Sequence, residues 1–503
     1  MDGERRGAGA EGSHPGPRAP SLLDAIVPLV ALVALIGGAL ALFGLDALDG
    51  PVQVALLLCS MVAALVALKN GYSWDDVQRA AQGAMTSITS AIFILLAVGA
   101  LIGVWNLSGT IPTLVYYGIQ VLSPGVFYLA TAVICGLVAL TIGSSWTTAG
   151  TVGVGLVGIA TAIGVSPAIT AGAVISGAYL GDKLSPLSET TVLASQLVGV
   201  DVRRHIRSQA WTSVPAFGVA LVAFALLGAF GPPVRDLVPE SLELARLDTL
   251  YHITPLNLLP FVVLGFLSIR KVPASLALMA ATLFAGVLGA FLQPNVYRSF
   301  ADSDGGPLVV SVKAVWQAMA TGFHARTGIP EIDALVSRGG MSSLLLTVWL
   351  IIGAVTFGAM LEEFGLLSRL IDPLLRVATT TFRLFFVVFA CAFGLNVVAG
   401  DQYIALVLPT RLFRRTFADR ELAPTNLSRL AADSGTVTSA LVPWNSCGAF
   451  MAAVLGVSTL RYAPYSFFNL ASPLIGLLLG ATGWKVRQAE RSGPAARGEG
   501  KRP

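Results

Sequence analysis

The stretch GDKLSPLSETT, residues 181–191, ends a run of 102 residues that contains no Asp, Glu, Lys or Arg. The charge-free run begins directly after Arg79. Ionisable side chains inside an apolar membrane segment cost roughly 2.5 to 3.5 kcal/mol each on insertion scales, so they usually mark a pathway for an ion or a substrate. The stretch therefore predicts a transport site inside a membrane protein.

The composition supports a membrane protein. Of the 503 residues, 55% are hydrophobic and 12% are charged, whereas soluble domains average about 25% charged residues. The net charge of +4 collects in short segments rather than on a nucleic-acid-binding face. The four cysteines lie in apolar stretches without CxxC spacing, so the sequence predicts no disulfide framework, no structural metal site and no cofactor.

Apolar runs near the 20 residues that cross a bilayer recur along the chain. They lie at 22–45, 51–69, 86–106, 210–230, 274–292, 342–362 and 466–484, with a shorter run at 255–270. The first is too long for the core of a signal peptide. Lys69 and Arg79 follow the second run, whereas only acids follow the first, so the N-terminus is predicted to be cytoplasmic. The basic C-terminal tail is predicted to lie on the same side.

Two stretches, 126–200 and 384–456, contain shorter apolar pieces interrupted by Gly and polar residues. We interpret both as a re-entrant hairpin followed by a broken helix. The hairpins are predicted at 126–160, with its tip at 143–148, and at 384–417, with its tip at 400–403. Inverted repeats with broken helices that meet at the bilayer midplane are typical of secondary transporters. The alternative is that the hairpins cross fully, which gives up to 14 helices.

The predicted fold is therefore an all-α polytopic membrane protein with two inverted repeats, about 10 spanning helices and two hairpins. The predicted organisation is a disordered cytoplasmic tail (1–20), two N-terminal helices (21–79), repeat 1 (80–230), connecting helices and loops (231–337), repeat 2 (338–484) and a basic cytoplasmic tail (485–503).

Four acids are the candidate sites for protons and cations: Asp182, Glu189, Asp401 and Asp433. Hard cations prefer oxygen ligands, and a carboxylate can hold a proton instead of a cation. The candidate supporting ligands are Ser144, Ser145, Ser185, Ser188, Thr190, Thr436, Thr438, Ser439 and Asn445. Lys183 adjoins Asp182 and Arg429 precedes Asp433 by one helical turn, so either acid could instead belong to a structural ion pair.

The charge-free run contains no GxSxG, HExxH or nucleotide-binding pattern in a suitable context. Asp182 and Asp433 could in principle imitate the paired acids of an intramembrane aspartyl protease. The hydroxyls around both acids favour ion coordination over proteolysis, so the sequence predicts no enzyme.

Several motifs resemble the NhaC family of sodium/proton antiporters, a family grouped with the ion-transporter superfamily. They are GSSW (143–146), the 181–191 stretch, GDQY (400–403), NLSR (426–429), DSGTVTS (433–439) and PWNSCGA (443–449). The resemblance covers residues 20 to 484 and implies two hairpins and an elevator motion. The chain departs from the family pattern at Glu189, Val192, Ala432 and Ala440.

The resemblance implies exchange of sodium for protons across a bacterial-type inner membrane. Some members instead couple sodium and protons to malate and lactate exchange, for which Lys183 and Arg429 are the candidate anion partners. The expected partners are sodium and protons as substrates, and the lipid bilayer. A homodimer is one assembly compatible with the sequence, and neither nucleic acid nor a metal other than transported sodium is expected.

Overall fold

The computed structural model describes residues 17–231, 250–303, 305–325 and 337–489. Most of the predicted tails, at 1–20 and 485–503, therefore lie outside the described residues. Apart from one isolated bridge between Leu422 and Gln488, the regular structure in these ranges is helical. The prediction of an all-α fold is confirmed.

The helices before residue 250 are α1 (Leu22–Phe43), α2 (Pro51–Lys69), α3 (Trp74–Leu107), α4 (Thr110–Val121), α5 (Pro124–Ile142), α6 (Ser145–Thr148), α7 (Val154–Ala162), α8 (Pro167–Leu184), α9 (Glu189–Leu197) and α10 (Val202–Phe230). The later helices are α11 (Leu259–Ile269), α12 (Ala274–Leu292), α13 (Pro294–Ala301), α14 (Pro307–Thr321), α15 (Leu345–Glu363), α16 (Leu366–Val377), α17 (Thr381–Val398), α18 (Gln402–Asp419), α19 (Pro424–Ala431), α20 (Ser446–Leu455), α21 (Thr459–Tyr462) and α22 (Phe467–Thr482).

Eight helices in the described part of the chain are long and apolar enough to cross a membrane, or ten if two bent pairs each count as one span. They are α1, α2, α3, α5, α10, α12, α15 and α17, and the bent pairs are α19 with α20 and α21 with α22. The predicted runs 51–69 and 274–292 match α2 and α12 residue for residue. A polytopic membrane protein is therefore confirmed, with eight to ten candidate spans that include α5 and α17, the first arms of the two predicted hairpins.

The helices of the two predicted hairpins, 124–162 and 381–419, begin and end within three residues of the predicted boundaries. Each has its turn at a glycine in the left-handed region, Gly143 with φ 79° and Gly400 with φ 64°. An L-residue with a side chain disfavours this backbone conformation. Because α5 and α17 are each long enough to cross the membrane alone, the re-entrant path of the hairpins stays a prediction.

One interval relates the two halves of the chain. Pro167 and Pro424 begin α8 and α19, 257 residues apart, and the same interval separates the starts of α5 and α17. The capping residues Ser144 and Asp401 keep this interval too. The helix order and register thus repeat, whereas the inversion of the copies across the bilayer and the predicted domain limits stay predictions.

Helices α5 and α8 pack with their backbones in close contact. A Cβ atom added to Gly177 would lie 2.4 Å from the carbonyl oxygen of Ala132, and one added to Gly181 would lie 2.4 Å from Ala139. Small residues are the usual means by which membrane helices approach this closely. The contact fixes α8, and with it the polar stretch at its C-terminus.

We expect Gly177→Ala to lower the thermal unfolding midpoint measured by size-exclusion chromatography in detergent. Its methyl group has no room, and overpacking of this kind costs about 1–3 kcal/mol. Gly218→Ala is the matched control, because a Cβ atom at this helical glycine would meet no atom within 4 Å. An equal change in both variants would contradict the close contact of α5 and α8.

Candidate functional site

Helix α8 ends at Leu184, and the chain resumes helical structure at Glu189, so the predicted helix break lies where the sequence placed it. Asp182 lies in the last turn of α8 and is 7% exposed. Ser188 caps α9 by accepting a hydrogen bond from the amide of Thr191. The break therefore places a carboxylate and several hydroxyls together.

The carboxylate of Asp182 contacts the tip of the first hairpin. The backbone amide of Ser145 donates to Oδ1 at 3.1 Å, and the hydroxyl of Ser145 donates to Oδ2. The amide that begins α6 therefore faces the negative charge, which is favourable at a helix start. Ser144, the predicted neighbour, caps the same turn through the amide of Thr147.

Three hydroxyls converge on the backbone carbonyl of Asp182. Ser188, Thr190 and Thr191 donate to this oxygen at 2.9, 3.2 and 2.6 Å. The helix break leaves this carbonyl without its usual amide partner, and unpaired backbone groups are costly in a membrane. The hydroxyls thus stabilise the break and hold their own oxygens close to Asp182.

A cavity of about 620 Å³ lies next to Asp182. Both hairpin tips, the break after α8, part of α3 and the loop before α12 contribute to it. Its polar lining residues are Ser87, Ser90, Ser144, Ser145, Thr147, Asp182, Ser188, Glu189, Thr190, Ser268, Lys271, Asp401, Gln402, Tyr403 and Ser446. Three of the four predicted acids therefore share one cavity.

Tyr403 links the two halves at this cavity. Its hydroxyl donates to Oε2 of Glu189 at 2.9 Å. Asp401 caps α18, since its Oδ1 accepts hydrogen bonds from the amides of Tyr403 and Ile404. The second hairpin tip is therefore bonded to the break that follows α8.

The constant interval identifies the counterparts of the first-half residues. Ser145 and Asp182 are 37 residues apart and hydrogen-bonded, and Gln402 and Ser439 repeat both the spacing and the contact, at 3.4 Å. A hydroxyl thus occupies the second-half position that a carboxylate occupies in the first. The two hairpins therefore differ chemically in the group that contacts each tip, a carboxylate at the first and a hydroxyl at the second.

Asp433 lies apart from this cavity, on a π-helical segment, Ala432–Thr436. It is fully buried and forms an ion pair with Lys183. Arg429, the predicted neighbour on the same helix, instead donates to the carbonyl of Lys485 at 3.3 Å. The sequence analysis gave a structural ion pair as the alternative for Asp433, but with Arg429 as its partner.

The remaining predicted ligands support the breaks from outside the cavity. Asn445 caps α20, Thr438 accepts a hydrogen bond from Asn396, and Ser439 also donates to the carbonyl of Thr436. Ser185 and Thr436 are buried and do not line the cavity. The roles of all these residues in ion binding stay predictions.

Sequence reasoning missed several polar residues that the fold brings to these sites. Tyr403 and Gln402 stood in the GDQY motif but were not assigned a role, whereas Ser87, Ser90 and Lys271 lie in separate helices or loops. Among these residues, only Gln402 and Tyr403 had a local sequence signal, the hairpin-tip motif GDQY. The others depend on the packing of α3 and of the loop before α12 against the hairpins.

Comparison with known proteins places this chain among transporters. It matches the model of the Na⁺/H⁺ antiporter family over residues 21–232 and 177–484. It is 35% identical over 431 residues to the Na(+)/H(+) antiporter NhaC of Alkalihalophilus pseudofirmus, covering 86% of this chain and 90% of that protein.

Two further relatives have names that include organic substrates. The chain is 33% identical over 472 residues to the arginine/ornithine antiporter ArcD of Halobacterium salinarum, with 93% of each chain covered. It is 32% identical over 470 residues to the malate-2H(+)/Na(+)-lactate antiporter of Bacillus subtilis, covering 93% of this chain and 96% of that protein.

We expect Ser90→Cys to react with a membrane-impermeant maleimide at least 10-fold faster than Ser434→Cys. Ser90 is exposed and lines the cavity, whereas Ser434 is fully buried beside Asp433. The unmodified protein is the background control, since its four cysteines are buried. Equal labelling rates, measured by mass spectrometry, would contradict the placement of the cavity.

Proposed function

Because the chain belongs to the Na⁺/H⁺ antiporter family, we propose that it exchanges sodium for protons, with the carboxylate of Asp182 as the exchanging group. The supporting observation is the position of this carboxylate at a helix break, beside a cavity and within reach of the Ser145 hydroxyl. An acid in such a position inside a membrane is a functional candidate by default.

Exchange follows from the electrostatics of the buried carboxylate of Asp182. A lone carboxylate is costly in a low-dielectric core, whereas a carboxylate neutralised by a proton or by sodium is not. The conformational change therefore occurs with either ion bound and is unfavourable with neither. Since one ion must leave Asp182 before the other binds, sodium and protons move in opposite directions.

The other cavity residues help to bind sodium, whereas the exchanging group is Asp182. The hydroxyls of Ser145, Ser188 and Thr190 supply the oxygen atoms that hard cations prefer. Glu189 and Asp401 add negative charge to the same cavity, which raises the local concentration of cations. We assign Glu189 and Asp401 this electrostatic role.

The protein is a multi-pass membrane protein of a bacterial antiporter family. For its orientation we propose that both termini are cytoplasmic, because Lys69 and Arg79 flank the loop after α2 and the C-terminal tail is basic. Arg270 and Lys271 then lie on the same side. Because Lys271 lines the cavity, the described conformation faces the cytoplasm.

We expect Asp182→Asn to abolish sodium-driven proton movement in proteoliposomes, with a loss of at least 50-fold read by a pH dye. An amide has a similar shape but can neither hold the exchanged proton nor neutralise sodium. Asp75→Asn is the matched control, because Asp75 is exposed at the start of α3. Unchanged exchange by folded Asp182→Asn protein would remove Asp182 from the site.

A second candidate function is exchange of an organic anion with sodium and protons. One relative is named as a malate-2H(+)/Na(+)-lactate antiporter, and the cavity volume of about 620 Å³ falls in the usual range for small-molecule sites. However, Lys183 and Arg429, the predicted anion partners, do not line this cavity. Lys271 is the cation among its described lining residues, so it would have to bind the anion.

The Lys271→Gln variant distinguishes sodium/proton exchange from organic-anion exchange in the same proteoliposome assay. For sodium/proton exchange we expect sodium alone to change the internal pH, with malate or lactate neither required nor stimulatory in either protein. An organic-anion exchanger would need malate or lactate for the pH change. Its apparent affinity for the anion would then fall about 10-fold in Lys271→Gln, as expected for the loss of a charge-assisted hydrogen bond.

A further inference from the structure

Lys183 and Asp433 form a buried ion pair between the two halves of the protein. The side chains of both residues are 0% exposed, and 250 residues separate them along the chain. Lys183 is the direct neighbour of Asp182 at the end of α8. Successive residues on a helix point about 100° apart, so one face of α8 directs Asp182 to the cavity while the next side chain reaches Asp433.

Two hydroxyls complete the surroundings of this pair. Oδ1 of Asp433 accepts hydrogen bonds from the hydroxyls of Thr212 at 2.9 Å and Ser472 at 3.0 Å. The ammonium of Lys183 also donates to Ser472 at 2.7 Å. One carboxylate and nearby hydroxyl oxygens form the kind of ligand set that a small cation prefers, and here the Lys183 ammonium contacts Asp433 and Ser472.

Space around the carboxylate is limited on its other side. A Cβ atom added to Gly476 would lie 3.2 Å from Oδ2 of Asp433. Neither Asp433 nor Lys183 lines the cavity that contains Asp182. A transported ion would therefore have to displace the ammonium and pass through packed helices to reach Asp433.

We propose that Lys183 is a tethered cation. Its ammonium permanently fills the cation position around Asp433, so Asp433 takes no part in exchange, and the pairing holds the end of α8 and thereby positions Asp182. This inference rests on the proposed exchange at Asp182 and deepens it. In this proposal the acid of the second half, Asp433, belongs to an ion pair without net charge. The charge that exchanges ions is that of Asp182 at the cavity.

The pair can be broken or neutralised with side chains of similar shape. Lys183→Met leaves Asp433 uncompensated, Asp433→Asn leaves Lys183 uncompensated, and the double variant Lys183→Met/Asp433→Asn removes both charges. Removing one partner of a buried pair is far more damaging than replacing both. Arg369→Met is the matched control, since both side chains of the ion pair between Arg369 and Asp372 in α16 are exposed, at 48% and 53%.

We expect each single variant to lose at least 10-fold in the rate of sodium-driven proton movement. The double variant should recover to within threefold of the unmodified protein in both rate and KM for sodium, and Arg369→Met should match the unmodified protein. The sodium gradient that balances a fixed pH gradient, with the voltage held at zero by potassium and valinomycin, should be unchanged in the double variant. This balancing gradient reports the number of protons moved per sodium, which a merely structural change would not alter.

Three outcomes would overturn the proposal. They are near-normal exchange by a single variant, a double variant that is folded but as inactive as the single variants, and a double variant that is active with a shifted balancing sodium gradient. The last would assign Asp433 to the exchange itself. Failure of the unmodified protein to exchange sodium for protons would instead overturn the proposed function, while recovery of thermal stability in the double variant would still demonstrate the pairing.

Discussion

Water is absent from the core of a bilayer, so a helix that breaks there must satisfy its free backbone groups from within the protein. This constraint explains why hydroxyl and amide side chains collect at both breaks. Ser188, Thr190 and Thr191 donate to the carbonyl of Asp182, and Asn396 donates to the carbonyl of Gly435 at 2.6 Å. The same oxygens that make the breaks tolerable also make them suitable for cations, so structural and transport demands select the same residue types.

The two halves differ in how the charge of the acid near each helix break is balanced. In the first half, Asp182 meets hydrogen-bond donors and a cavity, so its charge can be balanced by ions that come and go. In the second half, Ser439 takes the corresponding position and the nearby acid, Asp433, is paired with Lys183. The proposed mechanism therefore assigns one variable charge and one fixed ion pair to the repeated architecture.

Much of the fold could be predicted because its main signals are local. The bilayer thickness sets the length of each apolar run, so α2 and α12 were predicted to the residue. Helix α3 begins earlier than its apolar run, because Ser73 and Asp76 form a capping box outside the membrane core. Hydropathy alone does not predict a helix start made by polar capping residues. The hairpin tips were recognisable from glycine followed by polar residues.

The site was only partly predictable, because its partners come from distant segments. The helix break identified Asp182 and its hydroxyls, since all of them lie within a few residues of one another. In contrast, Thr212 and Ser472 are neutral residues of α10 and α22, and no local spacing links them to Asp433. The partner of Asp433 was predicted one turn away at Arg429, whereas the fold supplies it from the other half.

The long separation of Lys183 and Asp433 has a consequence for biogenesis. At a synthesis rate of about 5–20 residues per second, the 250 residues between them take roughly 12 to 50 seconds to make. During that time the N-terminal half contains a cation destined for the protein interior whose partner does not yet exist. We therefore expect Lys183 to stay in contact with water, or sheltered at the insertion machinery, until the second half has been made.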